Sequence, residues 1–280
     1  MYRILQKEKL APGIWLMKVM APFVARRAMP GQFIILRVKE GGERIPLTIA
    51  NYDRQEGWVT IIFQEVGLTT RLLAKLNEGD SILDFVGPLG RASELDGLKR
   101  VLCIGGGVGV APLYPQIKYL WEKGTSVDVI VGARSKEYLI LEKEIRDICN
   151  NLYITTDDGS YGRKGFVSDV LKELLDQKNE YDKVIAIGPL IMMKVVSEIT
   201  RKYGVPTVVS MNPIMVDGTG MCGGCRVTVG GEVRYACVDG PDFDGHLVDF
   251  DEAMRRQRMY REEEEHICKL MEKLMEKEGL

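Results

Sequence analysis

Residues 100–104, Arg-Val-Leu-Cys-Ile, run straight into Gly105-Gly-Gly-Val-Gly-Val-Ala-Pro112, and a helical stretch over 111–123 follows. The short apolar run reads as a buried strand. The glycines let the backbone turn tightly at its end, and the helix start presents unpaired N–H groups and a partial positive charge. This strand–turn–helix unit opens a repeating rhythm. Strands are expected at 127–131, 152–155, 183–187 and 206–210, and helices at 141–149, 167–175 and 189–203. Such alternation predicts a parallel sheet with helices on both faces. The glycines do not follow the G-x-G-x-x-G spacing, so a plain tight turn also accounts for the run taken alone.

The first 95 residues have another grain. Strand candidates at 14–19, 32–38 and 58–64 are broken by Pro30-Gly31, Gly41-Gly42 and Glu56-Gly57, and one short helix fits 69–76. Short strands with Gly/Pro turns predict a barrel or sandwich. The expected fold class is α+β multidomain. An N-terminal antiparallel β-barrel covers 1–97, an α/β parallel-sheet nucleotide domain 98–210, a cysteine loop 211–245 and a helical tail 246–280.

The loop reads Asp217-Gly-Thr-Gly-Met-Cys222-Gly-Gly-Cys225, and eleven residues separate Cys225 from Cys237. C-x2-C with a distant third Cys is part of the plant-type iron–sulfur signature, which carries a further Cys ahead of it at C-x4-C spacing. Asp217 stands at that place. The carboxylate has the same charge as the thiolate it replaces but is a harder donor. Two other readings are open: a zinc site, or Asp217 capping the loop through backbone N–H groups. Both histidines, His246 and His266, lie outside the loop. Cys103 and Cys149 sit in apolar contexts and read as buried packing residues, while Cys268 falls on a charged helix.

A formal net charge of −2 gives no electrostatic support for nucleic-acid binding. No run approaches the length of a membrane span, and the N-terminus lacks a signal-peptide pattern, so a cytoplasmic location is expected. No acid–base set with a known catalytic spacing stands out.

Gly105-Gly-Gly-Val-Gly-Val-Ala-Pro112 resembles the nicotinamide-dinucleotide motif of the ferredoxin–NADP reductase family. Pro30-Gly-Gln-Phe33 and Arg44-Ile-Pro-Leu-Thr48 resemble that family's flavin segments. The resemblance implies dinucleotide contacts from Gly105, Gly106, Gly107, Gly109 and Pro112. It implies FAD contacts from Arg44 (pyrophosphate), Pro46, Leu47 (against the ring) and Thr48 (hydroxyl toward N5, the catalytic contact). Leu47 stands where the family has Tyr, and Arg44 is one residue early. Val66-Gly-Leu-Thr-Thr-Arg71 resembles the second pyrophosphate segment, implying Gly67, Thr69 and Thr70; an ordinary helix cap at Thr69 is the structural alternative. Ile187-Gly188-Pro189 resembles the segment beside the nicotinamide.

The flavin barrel, nucleotide domain and C-terminal cysteine loop together resemble two relatives. They are the electron-transfer subunits of dihydroorotate dehydrogenase and the small subunit of NADH-dependent ferredoxin:NADP oxidoreductase, also described as sulfide dehydrogenase. Asp217 in place of Cys is similar to the second. The resemblance implies FAD, NAD(H) or NADP(H), and a 2Fe–2S cluster held by Asp217, Cys222, Cys225 and Cys237. It further implies a heterodimer with a larger flavin and 4Fe–4S subunit, which reaches ferredoxin and leaves room for electron bifurcation. Arg134, Ser135 and Lys136 follow the second strand of the parallel sheet, where the adenosine ribose is expected. Basic groups there suit a 2′-phosphate, whereas the resemblance favours NAD. A colourless, zinc-stabilised nucleotide-binding module is the non-redox alternative. The tail at 252–277 reads as one helix with an apolar series Ile267, Leu270, Met271 and Leu274, suited to solvent exposure or to a partner.

Overall fold

A computed structural model describes residues 1–278, with side chains through residue 270. Strands β1 (Tyr2–Ala11), β2 (Ile14–Met20), β3 (Phe33–Arg37), β4 (Arg44–Asp53), β5 (Trp58–Gln64), β6 (Ser81–Ile82) and β7 (Asp84–Leu89) form one antiparallel sheet. Its order is β6-β1-β2-β5-β4-β3-β7. Alternate residues point inward, so Met17 and Val19 meet Val59, Ile61 and Phe63 across the core with Ile34, Leu36 and Phe85. Helices α1 (Pro22–Arg27) and α2 (Leu68–Lys75) close this barrel-like sheet. The sequence reading finds β2, β3 and β5 but misses β1, β4, β6, β7 and α1. In β4, Pro46 and the Leu47-Thr48-Ile49 run obscure alternation.

The second sheet is built from β8 (Arg100–Gly106), β9 (Ser126–Ala133), β10 (Asn151–Thr156), β11 (Arg163–Lys164), β12 (Lys183–Ile187) and β13 (Thr207–Ser210). Together with a short antiparallel edge strand, β16 (Asp242–Asp244), these parallel strands lie in the order β11-β10-β9-β8-β12-β13-β16. Strand β8 shows why both faces need cover. Val101 and Cys103 pack on one side with the helix α3 (Val110–Glu122), and Leu102 and Ile104 on the other with α5 (Val167–Asp176) and α6 (Leu190–Tyr203). The short α4 (Glu142–Arg146) replaces the longer helix expected at 141–149: Leu141, at a left-handed φ of 57°, stands outside it as the N-cap, and residues 147–148 continue only as a turn. Cys103 is buried as expected, whereas Cys149 is only half-buried.

After β13 the chain forms the cysteine loop and the hairpin β14 (Arg226–Val229) with β15 (Glu232–Tyr235), turned at Gly230-Gly231, where φ is 61° and 82°. Strand β16 (Asp242–Asp244) then pairs antiparallel with β13 and completes the sheet. The tail holds two helices rather than one: α7 (Phe250–Gln257), capped by the Asp249 carboxylate accepting from the Glu252 N–H at 2.8 Å, and α8 (Arg261–Glu278). Ile267 and Leu270 are exposed on α8; the Met271 and Leu274 side chains lie outside the described residues.

The linker between the sheets is sewn to the segment that follows Cys237. Arg91 donates its N–H to the Gly240 carbonyl at 2.7 Å and its Nε to the Val238 carbonyl at 3.0 Å, and Lys183 Nζ donates to the Glu94 carbonyl at 2.9 Å. The Ser93 hydroxyl donates to Asp242 Oδ2 at 2.5 Å. Asp242 Oδ1 is buried with no partner among the described residues, and burial pushes this carboxyl up from its ordinary range. A carboxyl whose folded-state pKa is raised stabilises fully below its unfolded pKa of about 4 and loses that contribution as pH climbs through the folded value. Thermal unfolding from about pH 4 to pH 8 should therefore show Asp242→Asn gaining on the parent as pH rises. Parallel profiles for the two proteins would refute this.

Candidate functional site

Strand β8 ends in a 3-10 turn over Gly107–Gly109, and α3 starts at Val110 with no side-chain cap on its first N–H groups. The turn is packed against the end of β12. A Cβ on Gly109 would stand 2.4 Å from the Ile187 carbonyl oxygen and 2.7 Å from Gly188 Cα. A Cβ on Gly106 would meet Met192 Sδ at 2.5 Å and Pro189 Cδ at 3.1 Å. Gly107, at φ 55°, faces open space instead. The two segments expected to hold the dinucleotide, 105–109 and 188–189, are thus one continuous surface. Pro112 lies in the first turn of α3 and is half-buried.

The expected flavin residues lie along one edge of the barrel. Arg44, Pro46, Leu47 and Thr48 are half-buried on β4, opposite Arg37, Ile35, Ile34 and Phe33 of β3. The Thr69 hydroxyl donates to Glu43 Oε2, which brings the start of α2 beside the start of β4. Thr70, not Thr69, makes the local cap: its Oγ1 accepts from the Val66 and Gly67 N–H groups, each at 3.0 Å. Gly67 has open space where a Cβ would point. An open glycine, a helix start and a hydroxyl-bearing strand edge fit a flavin with its pyrophosphate.

At the end of β9, the Arg134 guanidinium lies 3.5 Å above the Tyr138 ring and Lys136 Nζ 5.2 Å from the Tyr161 ring. The Lys136 N–H donates to Ser160 Oγ at 2.8 Å, and Ser135 is half-buried between the two basic residues. Asp158 faces this turn from the end of β10, its carboxyl held below the usual range by the Ser160 hydroxyl and N–H.

The cysteine loop carries the most distinctive chemistry. Gly218, Gly220 and Gly223 have φ of 83°, 87° and 66°, so the loop folds back on itself in a way that side-chain-bearing residues resist. Cys222 Sγ accepts the Gly224 N–H at 3.5 Å, and this bond together with the Asp217 N–H draws the Cys222 thiol down. Cys225 Sγ accepts the Cys237 N–H at 3.4 Å. Burial and the neighbouring Cys225 push the Cys237 thiol up to about 12. A buried thiol that resists ionising suits a cation, whose charge removes that penalty. Sulfurs receiving backbone N–H groups also suit an iron–sulfur cluster. Among the described residues, no three such donors converge on one point as a single metal ion requires. Asp217 Oδ2 accepts the Thr219 N–H at 2.9 Å and the Thr219 hydroxyl, so its carboxylate makes the capping bonds of the loop.

Two connections escape sequence reading because they join distant segments. Arg44 Nε donates to the Val216 carbonyl at 3.3 Å, tying β4 to the cysteine loop. Arg256 Nη2, on α7, donates to the Gly224 carbonyl at 3.1 Å, between two of the cysteines. The only signal for the second is a basic run, Arg255-Arg256-Gln257-Arg258, in a tail otherwise read as solvated.

Residues 103–198 match the oxidoreductase NAD-binding domain family, and residues 212–249 the iron–sulfur cluster binding domain of dihydroorotate dehydrogenase B. An uncharacterized protein in the adh 3′ region of Clostridium beijerinckii is 58% identical over 94% of this chain and 92% of its own. A Thermotoga maritima protein, described as a homolog of the electron transfer subunit of dihydroorotate dehydrogenase B (NAD(+)), is 48% identical over 93% of this chain and 92% of its own. Among solved structures, a chain of the NADH-dependent reduced ferredoxin–NADP oxidoreductase superposes with a TM-score of 0.92 at 46% identity, covering 97% of both chains. No helix among the described residues is long and apolar enough to cross a membrane. By sequence and by fold, the chain belongs to the family of dihydroorotate dehydrogenase B-type electron-transfer subunits, which shares its architecture with the NADH-dependent ferredoxin–NADP oxidoreductase.

Proposed function

We propose that this chain is the electron-transfer subunit of a cytoplasmic oxidoreductase, loaded with FAD and one 2Fe–2S cluster and exchanging electrons with NADH or NADPH. A flavin handles both a hydride and single electrons, and the cluster handles single electrons, which is the chemistry these groups supply when bound. The observation that carries the reading is direct contact between the flavin edge and the cysteine loop. Besides the Arg44–Val216 bond, a Cβ on Gly218 would meet Ile35 Cγ1 at 2.8 Å and Leu89 Cδ1 at 3.0 Å, so the loop lies flat on β3 and β7. The glycine turn at 105–109 binds dinucleotide phosphate, with Gly188 and Pro189 beside the nicotinamide and Arg134, Ser135 and Lys136 at the adenosine end. Thr48 offers its hydroxyl to the flavin, Pro46 and Leu47 shape the ring's bed, and Arg44, Gly67, Thr69 and Thr70 face the pyrophosphate. Cys222, Cys225, Cys237 and Asp217 hold the cluster, with Asp217 exchanging its Thr219 bonds for iron. The partner is a larger subunit bearing flavin and 4Fe–4S clusters, through which ferredoxin is reached.

The test is an anaerobic absorption spectrum of the native protein with iron, zinc and flavin quantified. Two irons and one FAD per chain are expected. Zinc without flavin would overturn the reading. The family match over the cysteine loop favours a second assignment of partner, a dihydroorotate dehydrogenase catalytic subunit. Co-purification separates the two: a 4Fe–4S protein supports the first and a dihydroorotate-oxidising flavoprotein the second.

A further inference from the structure

Helix α7 touches both ends of the proposed electron path. Its Asp251 carboxylate pairs with Lys194 Nζ at 2.8 Å on α6, the helix that directly follows Gly188-Pro189. One turn and a half later, Arg256 donates to the Gly224 carbonyl at 3.1 Å. Gly224 stands between Cys222 and Cys225, and its own N–H already points at Cys222 Sγ. The peptide groups around Gly224 are therefore held from two sides, one by sulfur and one by a guanidinium. The same helix, with Gln257 and Arg258 at its end, walls a cleft of about 370 Å³ together with Gly188, Pro189 and Asn212.

Resting on the 2Fe–2S reading above, we infer that Arg256 is a positioning residue for the cluster that sets its reduction potential. Two physical effects act in the same direction. A fixed positive charge beside the cluster favours its reduced, more negative state. A guanidinium bonded to the Gly224 carbonyl also polarises the Gly224–Cys225 peptide and strengthens that peptide's own N–H, on Cys225, as a donor within the loop. Half-buried, the guanidinium is shielded from solvent more than a surface charge. It is the tail, outside both matched domains, that carries it.

The test uses the full chain, loaded with FAD and cluster, as parent, Arg256→Gln and Arg256→Lys. Potentials are read by EPR-monitored redox titration, and iron content and flavin reduction by NADH are read alongside. Arg256→Gln should favour the oxidised cluster about tenfold, a fall of about 59 mV for one electron. Iron content and the rate of flavin reduction should hold. Arg256→Lys, which keeps charge but not the fork, should recover at least half of the shift. An unchanged potential in loaded Arg256→Gln overturns the proposal. So does loss of iron from both variants, which would make Arg256 a structural clasp alone. A parent without the signal of a reduced 2Fe–2S cluster would instead overturn the functional reading itself, and this inference with it.

Discussion

Gly109→Ala is expected to disable nucleotide binding and to lower the melting temperature by roughly 4–12 °C, corresponding to about 2–3 kcal/mol of overpacking. The backbone at Gly109 has φ −62°, which any residue tolerates, so the objection is space alone. The added methyl would lie 2.4 Å from the Ile187 carbonyl oxygen and 2.7 Å from Gly188 Cα. Both obstacles are backbone, and neither can rotate aside. Relief requires the turn and the end of β12 to part, which separates the phosphate segment from the nicotinamide segment. Affinity for NADH or NADPH should fall by at least about tenfold, since a displaced site loses more than one contact of about 1 kcal/mol each. Calorimetry and the NADH dependence of flavin bleaching measure the two effects. Parent-like values for both would show that the loop and β12 are not in register contact.

Cys237→Ala should remove the cluster while leaving flavin bound. Cys237 is buried at 2% exposure and its N–H reaches Cys225 Sγ, so it belongs to the closed side of the loop, where water cannot substitute as a ligand. Iron per chain should drop to near zero, and the reduced-cluster EPR signal should vanish. Flavin reduction by the nicotinamide should persist, because the glycine turn and the β4 edge are untouched. Cys103→Ala is the matched control. Cys103 is fully buried in β8, opposite Val129 of β9, so its loss costs only core packing, about 1–3 kcal/mol, with iron unchanged. Full iron content in Cys237→Ala would remove that residue from the ligand set.

What the sequence displays well is whatever depends on neighbours in the chain. The parallel sheet was legible because each strand is a short apolar run and each helix follows with its own periodicity. The glycine turn was legible because its chemistry is contiguous. Strand β4 was not, since Pro46 sits within it and its hydrogen-bond partners lie on β3 and β5. The single tail helix expected at 252–277 breaks after Gln257, and no glycine or proline marks the break. The candidate site divides in the same way. The cysteine spacing and Asp217 are visible in one line of text, but the capping bonds of Asp217, the reach of Arg44 to Val216 and that of Arg256 to Gly224 exist only after folding.

Strand β16 has three residues, yet it supplies the outer partner of β13 and so finishes the parallel sheet. It follows Cys237 by only a few positions; the intervening residues are bonded to Arg91 of the linker, and Asp242, the first residue of the strand, to Ser93. Without it, β13 would present bare N–H and C=O groups to other molecules, the edge that nucleates intermolecular pairing. Iron and solubility are thereby joined: a preparation that sheds its metal and loosens the loop also uncovers a sticky margin. Cloudiness on exposure to air or chelator would then report cofactor loss, and a shortened chain ending before Asp242 would precipitate even with its nucleotide site intact.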